Sequence, residues 1–124
     1  MKTETLVDFY RVNNSNQLVK LVVTIGNGQN AISKLLLNSQ IVSGSERDGS
    51  FLRGFEKILG TNKELIGKKL QMTTFVLDTL KNINGSRFTL SLIGGVTPYT
   101  ETLEFDSSGK GEVVKYLAGI KFYK

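Results

Sequence analysis

Cysteine, histidine and tryptophan are absent from this chain. Without histidine there is no imidazole to act as a general base near neutral pH, and without cysteine there is no thiolate nucleophile. The principal zinc ligands are missing together, and no disulfide can form. Apolar residues run at most three in a row, as in Leu35-Leu36-Leu37 and Phe75-Val76-Leu77. A membrane-spanning helix needs about 20 such residues. Behind Lys2 the segment Thr3-Glu4-Thr5 offers no apolar stretch, so no signal peptide is expected. The expected location is the cytoplasm, or outside by a route that leaves no cleavable signal. Asn13-Asn14-Ser15 and Asn84-Gly85-Ser86 match the glycosylation pattern but read as turns in that setting.

The remaining catalytic repertoire is carboxylate chemistry of the kind used in glycoside hydrolysis. Glu101 and Glu104 stand three apart on a candidate strand and therefore point to opposite faces. Glu46 and Asp48 lie in a Gly/Ser-rich loop, a poor platform for holding reacting atoms. The alternation Glu46, Asp48, Ser50 lacks the ligand order of an EF-hand. Gly109-Lys110-Gly111 lacks both the upstream glycine and the following hydroxyl residue of a P-loop. The expectation is a non-catalytic protein with no cofactor and no metal.

At 124 residues, 40% of them hydrophobic, the chain has room for one domain with a core of its own. Its dominant pattern is period two, the mark of half-buried strands. Val19, Leu21, Val23 and Ile25 alternate with Leu18, Lys20, Val22 and Thr24, and Phe88, Leu90 and Leu92 with Arg87, Thr89 and Ser91. Near the end Val114, Tyr116, Ala118, Ile120 and Phe122 share one face, with Lys115, Leu117, Gly119, Lys121 and Tyr123 on the other. Strands are also expected over 4–12, 32–42, 69–80 and 99–106. Turn residues separate them: Asn13 to Asn16, Gly26-Asn27-Gly28, Asn84-Gly85, Gly94-Gly95 with Pro98, and 106–111. The expected fold is all-β and mainly antiparallel, a sandwich or barrel of about seven strands joined mostly by hairpins, in one domain over 1–124.

One stretch departs from this rhythm. Residues 43–50 are polar and Gly/Ser-rich and read as a flexible loop. Beyond it Phe51, Phe55, Ile58 and Leu59 recur at helical spacing, with Ser50 placed to cap the start and Gly60 the end. A short helix near 51–59 is expected between the third and fourth strands. Thr61 and Glu64, three apart, form a further capping signal that suggests a turn at 62–66.

Sixteen basic and eleven acidic residues leave a net charge of +5, unevenly spread. The tail carries Lys110, Lys115, Lys121 and Lys124 against Glu112, while 96–109 holds Glu101, Glu104 and Asp106 with no base. Two strands are apolar on their second face as well, through Leu18 and Val22 beside Lys20, and through Leu117 and Tyr123 beside Lys121. A sheet face open to water should be polar there. The 51–59 helix could cover it, but about 13 Å of helix is short for two long strands.

A protein partner or a second copy is therefore the expected cover. Leu18, Lys20, Val22, Leu117, Lys121 and Tyr123 make the candidate interface, with the acidic strand of Glu101, Glu104 and Asp106 as its complement. Such an arrangement suits head-to-tail self-association into a ring or tube. An alternative is single-stranded nucleic-acid binding. A small barrel with a mid-chain helix is the outline of an oligonucleotide-binding fold, and Tyr10, Arg11, Lys121, Tyr123 and Lys124 combine aromatic rings with cations. Seven strands exceed the five of that fold. A further alternative is a barrel enclosing a small apolar ligand, for which the sequence offers no polar anchors.

Overall fold

The computed structural model describes residues 2–26, 30–77, 86–105 and 113–124. Ten strands and one helical turn follow in the order β1 (Lys2–Arg11), β2 (Leu18–Ile25), β3 (Asn30–Leu37), β4 (Gln40–Val42), β5 (Phe51–Leu52), β6 (Phe55–Thr61), α1 (Asn62–Leu65), β7 (Lys69–Leu77), β8 (Ser86–Ile93), β9 (Tyr99–Phe105) and β10 (Val113–Tyr123). They form two sheets. The larger runs β1-β10-β7-β3-β4, with β5 also paired to β3, and the smaller runs β6-β2-β8-β9. Among the described residues every ladder is antiparallel except β1 with β10, which is parallel.

The inner faces are those that the alternation picks out. Val19, Leu21 and Val23 of β2 meet Phe88, Leu90 and Leu92 of β8 in one layer, all buried. Val114, Tyr116, Ala118, Ile120 and Phe122 of β10, with Leu70, Met72 and Val76 of β7, form the other. Phe88 stacks on Tyr116 across the interface at 5.2 Å. Each fully buried Leu, Ile or Phe contributes about 1.5–3 kcal/mol, and this shared layer is what holds the sheets together. Among the described residues no helix is long and apolar enough to cross a membrane.

Residues 51–59 are not helical. The chain makes β5 in the larger sheet, turns at Arg53-Gly54 and continues as β6 in the smaller one. Arg53 takes a positive φ of 57°, and its amide donates to the Ala31 carbonyl at 2.9 Å. The four-residue spacing of Phe51 and Phe55 instead lets their rings stack across this corner at 4.3 Å. Pairing with β3 and β2 outweighs a weak helical preference that Gly54 already undermines. Ser50 caps nothing helical: it is buried and donates its hydroxyl to Asp48. The helical turn falls at Asn62–Leu65, opened by the anticipated capping box. Thr61 Oγ1 accepts from the Glu64 amide and Glu64 Oε1 from the Thr61 amide, both at 3.1 Å.

Two expectations about connections are also corrected. Asn13 to Asn16 do not close a hairpin, because β1 and β2 belong to different sheets. The same holds for β2 with β3, β7 with β8 and β9 with β10. The expected turn residues Asn27-Gly28, Asn84-Gly85 and 106–111 lie outside the described residues. Turn chemistry marks a change of direction without saying in which sheet the next strand pairs. Only β8 and β9 form a hairpin where one was expected, across Gly94-Gly95. The 32–42 segment is itself folded in two: Asn38 and Ser39 both take positive φ, and Leu37 pairs with Gln40 as in a tight primed turn.

Candidate interaction face

Because successive residues of a strand alternate between faces, burial on one side dictates what the other presents. On β1 the buried Leu6 and Tyr10 leave Thr3, Thr5, Val7, Phe9 and Arg11 pointing away from the core. The parallel register lays Val7 beside Gly119, Phe9 beside Lys121 and Arg11 beside Tyr123. The rings of Phe9 and Tyr123 meet edge to face at 6.4 Å. Across the sheet, Leu117 pairs with Thr73, Lys115 with Phe75, Ile32 with Phe75 and with Leu52, and Leu36 with Ile41. Lys115 Nζ lies 5.8 Å above the Phe75 ring.

The outer face of the larger sheet is thus apolar over much of its width. Ile41 is 77% exposed, Val7 73% and Phe9 62%, and Leu52, Leu77 and Tyr123 are exposed beside them. Its outward charges are Arg11, Lys34, Lys69, Lys115 and Lys121; no described strand position on this face carries a carboxylate. The nearest acid, Asp48 of the adjoining loop, sits 3.9 Å from Lys34. Its carboxylate also accepts from the Ser50 hydroxyl and from the Ser50 amide, and these bonds hold its pKa below the ordinary value. Shallow depressions follow this face, one floored by Val7, Leu36, Leu117 and Gly119, another by Ile32, Leu52, Phe75 and Leu77.

The smaller sheet presents a different surface. Its outward residues include Lys20, Thr24, Glu56, Arg87, Thr89, Ser91, Thr100, Thr102 and Glu104. Charges there are balanced and paired, Lys20 with Glu56 at 3.6 Å and Arg87 with Glu104 at 2.8 Å. Hydroxyls form a ladder, Thr89 with Thr102 and Ser91 with Thr100, each at 3.0 Å. Leu18, Ile58 and Ile93 are its exposed apolar residues.

The six residues expected to form one interface are divided between these surfaces. Leu18, Lys20 and Val22 lie on the outside of the smaller sheet, and Leu117, Lys121 and Tyr123 on the outside of the larger one, looking the opposite way. Glu101 and Glu104 are on opposite faces of β9, an edge strand, and Asp106 lies outside the described residues. Of the residues weighed for nucleic acid, Arg11, Lys121, Tyr123 and Lys124 gather at one end of the larger sheet. Tyr10 does not join them: it is 3% exposed, its hydroxyl accepts from the Gly95 amide at 2.9 Å, and burial raises its pKa. It sits on the inward parity of β1 with Leu6, whereas Phe9, which the sequence reading passed over, is the exposed ring. The signal was available, since Val7 and Phe9 alternate with Leu6 and Tyr10, but both parities of β1 are partly apolar and only pairing decides between them.

A second charged region borders this face. At the open side of the sandwich, where β1 of one sheet approaches β9 of the other, the Tyr99 hydroxyl donates to Asp8 at 2.7 Å. Burial, the Asp8 bond and the charges of Asp8 and Glu101 all raise the Tyr99 pKa. Burial raises the Tyr116 pKa as well, and the charges of Glu4 and Glu104 add to it. Among the described residues Glu4, Asp8 and Glu101 therefore lie along this flank with Lys2 near Phe105 as a neighbouring cation, while Glu104 points outward from the smaller sheet, paired with Arg87. No known family, characterised protein or solved structure matches this chain.

Proposed function

We propose that this β-sandwich is a non-catalytic interaction module that binds a protein partner on the outer face of its larger sheet. The observation that carries this reading is the combination on one face of exposed Val7, Phe9, Ile41, Leu52, Leu77 and Tyr123 with five cations and no strand carboxylate. Five strands at about 4.8 Å and about eight residues at about 3.3 Å give a face of roughly 600 Å², close to one partner's share of a standard interface. The apolar residues make up only part of that area, a patch of the kind that is often functional on a monomer. A working place in the cytoplasm, or outside after export without a cleavable signal, accords with this role.

The test is a benzophenone photo-cross-linker placed at Phe9, with Thr89 on the opposite sheet as control, in the cells that make the protein. A discrete cross-linked species at position 9 and none at position 89 is expected. Equal or absent cross-linking at the two positions overturns the reading.

A second reading has its own support. Phe9 and Tyr123 are exposed rings flanked in register by Arg11 and Lys121, the pairing of stacking surface and cation that single-stranded nucleic acid uses. Binding of a labelled oligonucleotide that weakens steeply with salt and is lost in Phe9→Ser would favour it over a protein partner.

A further inference from the structure

The occupant of an open sheet face is constrained by its charge. Pairing this face with itself in a symmetric dimer would bring Arg11, Lys34, Lys69, Lys115 and Lys121 against one another; among the described residues the acids beside them are Glu46 and Asp48 of the adjoining loop, which also carries Arg47. Like charges juxtaposed at an interface cost several kcal/mol. The partner surface must therefore be acidic, and it must also accept aliphatic side chains. Most of the exposed apolar residues, Val7, Ile41, Leu52 and Leu77, are aliphatic and offer nothing for bases to stack on. That favours protein over nucleic acid as the occupant.

The chain carries an acidic surface of its own at the β1–β9 flank. There, among the described residues, Glu4, Asp8 and Glu101 outnumber Lys2, and Tyr99, Leu103 and Phe105 of β9 are partly open beside them. We infer that the face of one copy receives the β1–β9 flank of the next, a head-to-tail contact between two different surfaces of the same chain. This rests on the reading of the face as a protein-docking surface and names its partner. A contact of this kind leaves one face and one flank free at the ends of every oligomer, so it closes into a ring or continues as a filament.

Two double variants of the full chain test it. Lys115→Glu with Lys121→Glu reverses the face, and Glu4→Lys with Glu101→Lys reverses the flank; circular dichroism and thermal unfolding establish that both are folded. In sedimentation velocity at low salt the unaltered protein should gain mass with concentration, and added salt should reduce the gain. Each variant alone should associate at least about tenfold more weakly. Mixed in equal amounts, they should recover association, because one supplies an intact flank, the other an intact face, and the two reversed surfaces are again opposite in charge.

Should a charge variant not fold, Val7→Ser with Phe9→Ser replaces the face variant, since both residues are exposed. A flank variant that still associates like the unaltered protein means face-to-face pairing and overturns the inference. So does a mixture that remains monomeric, or an unaltered protein that stays monomeric at its highest attainable concentration. If the monomer binds an oligo-dT of about 20 nucleotides through the same lysines, the face belongs to nucleic acid. A cross-link from position 9 to a different protein, with the pure chain monomeric, removes self-association while keeping the protein-docking role. No cross-link removes both.

Discussion

Ser33 and Thr74 are directly paired across β3 and β7, fully buried, with their hydroxyls 2.7 Å apart. Each satisfies the other where no water reaches. Thr74→Val should cost about 1–3 kcal/mol in chemical denaturation, because it strands the Ser33 hydroxyl, and adding Ser33→Ala should recover much of the loss. The tyrosines make a second prediction at this scale. Tyr10, Tyr99 and Tyr116 all have raised pKa values, with burial as the largest cause in each. The neutral phenol is the form the fold favours. Its contribution is therefore complete below the unfolded value near pH 10 and is lost as pH rises beyond it. Denaturation midpoints should fall steeply above about pH 10, and Tyr99→Phe should make that fall shallower.

At the scale of elements, the short turn α1 matters more for what it ties together than for its length. The Asn62 side chain is fully buried, accepts from the Asn13 amide at 3.2 Å and donates to the carbonyls of Gln17 and Gly94, both at 2.8 Å. Its own amide and that of Lys63 donate to Gln17 and Ser15, giving partners to groups that a helix start leaves open. One side chain thus joins the β1–β2 connection, α1 and the β8–β9 turn. Asn62→Ala should destabilise by several kcal/mol, since it strands the Asn13 amide and the Gly94 carbonyl at about 1–3 kcal/mol each while Gln17 keeps the bond from the Asn62 amide, and hydrogen exchange should quicken in both connections. The adjacent turn has no room for a larger residue. Gly94 has a φ of +109° and a Cβ there would strike the Leu18 carbonyl, while one at Gly95 would enter the Tyr10 ring.

For the whole molecule, the parallel pairing of β1 with β10 sets which surface is available. It makes β1 an edge strand, brings its acids against β9, and turns Val7 and Phe9 outward beside the last strand. Neighbouring positions on β1 should consequently behave in opposite ways. Val7→Ser and Phe9→Ser should change stability by no more than about 0.5 kcal/mol, as exposed positions do, while weakening association. Leu6→Ala, one step along the strand and facing the core, should cost about 2–5 kcal/mol. Thermal unfolding and sedimentation on the same samples separate the two effects.

Alternation alone determined the all-β class, the inward residues of β2, β8 and β10, and, through Thr61 and Glu64, the place where the one helical turn begins. These are local properties, since a strand's parity and a capping box are complete within a few residues. What only the tertiary structure decided is which sheet each strand joins. That choice put Leu18, Lys20 and Val22 on the opposite side of the molecule from Leu117, Lys121 and Tyr123, drew Phe51 and Phe55 into a strand corner instead of a helix, and buried Tyr10 while exposing Phe9. The physical reason is common to all three: strand pairing and core contact join residues distant in sequence, and their energy outweighs the local preferences that a single segment can display.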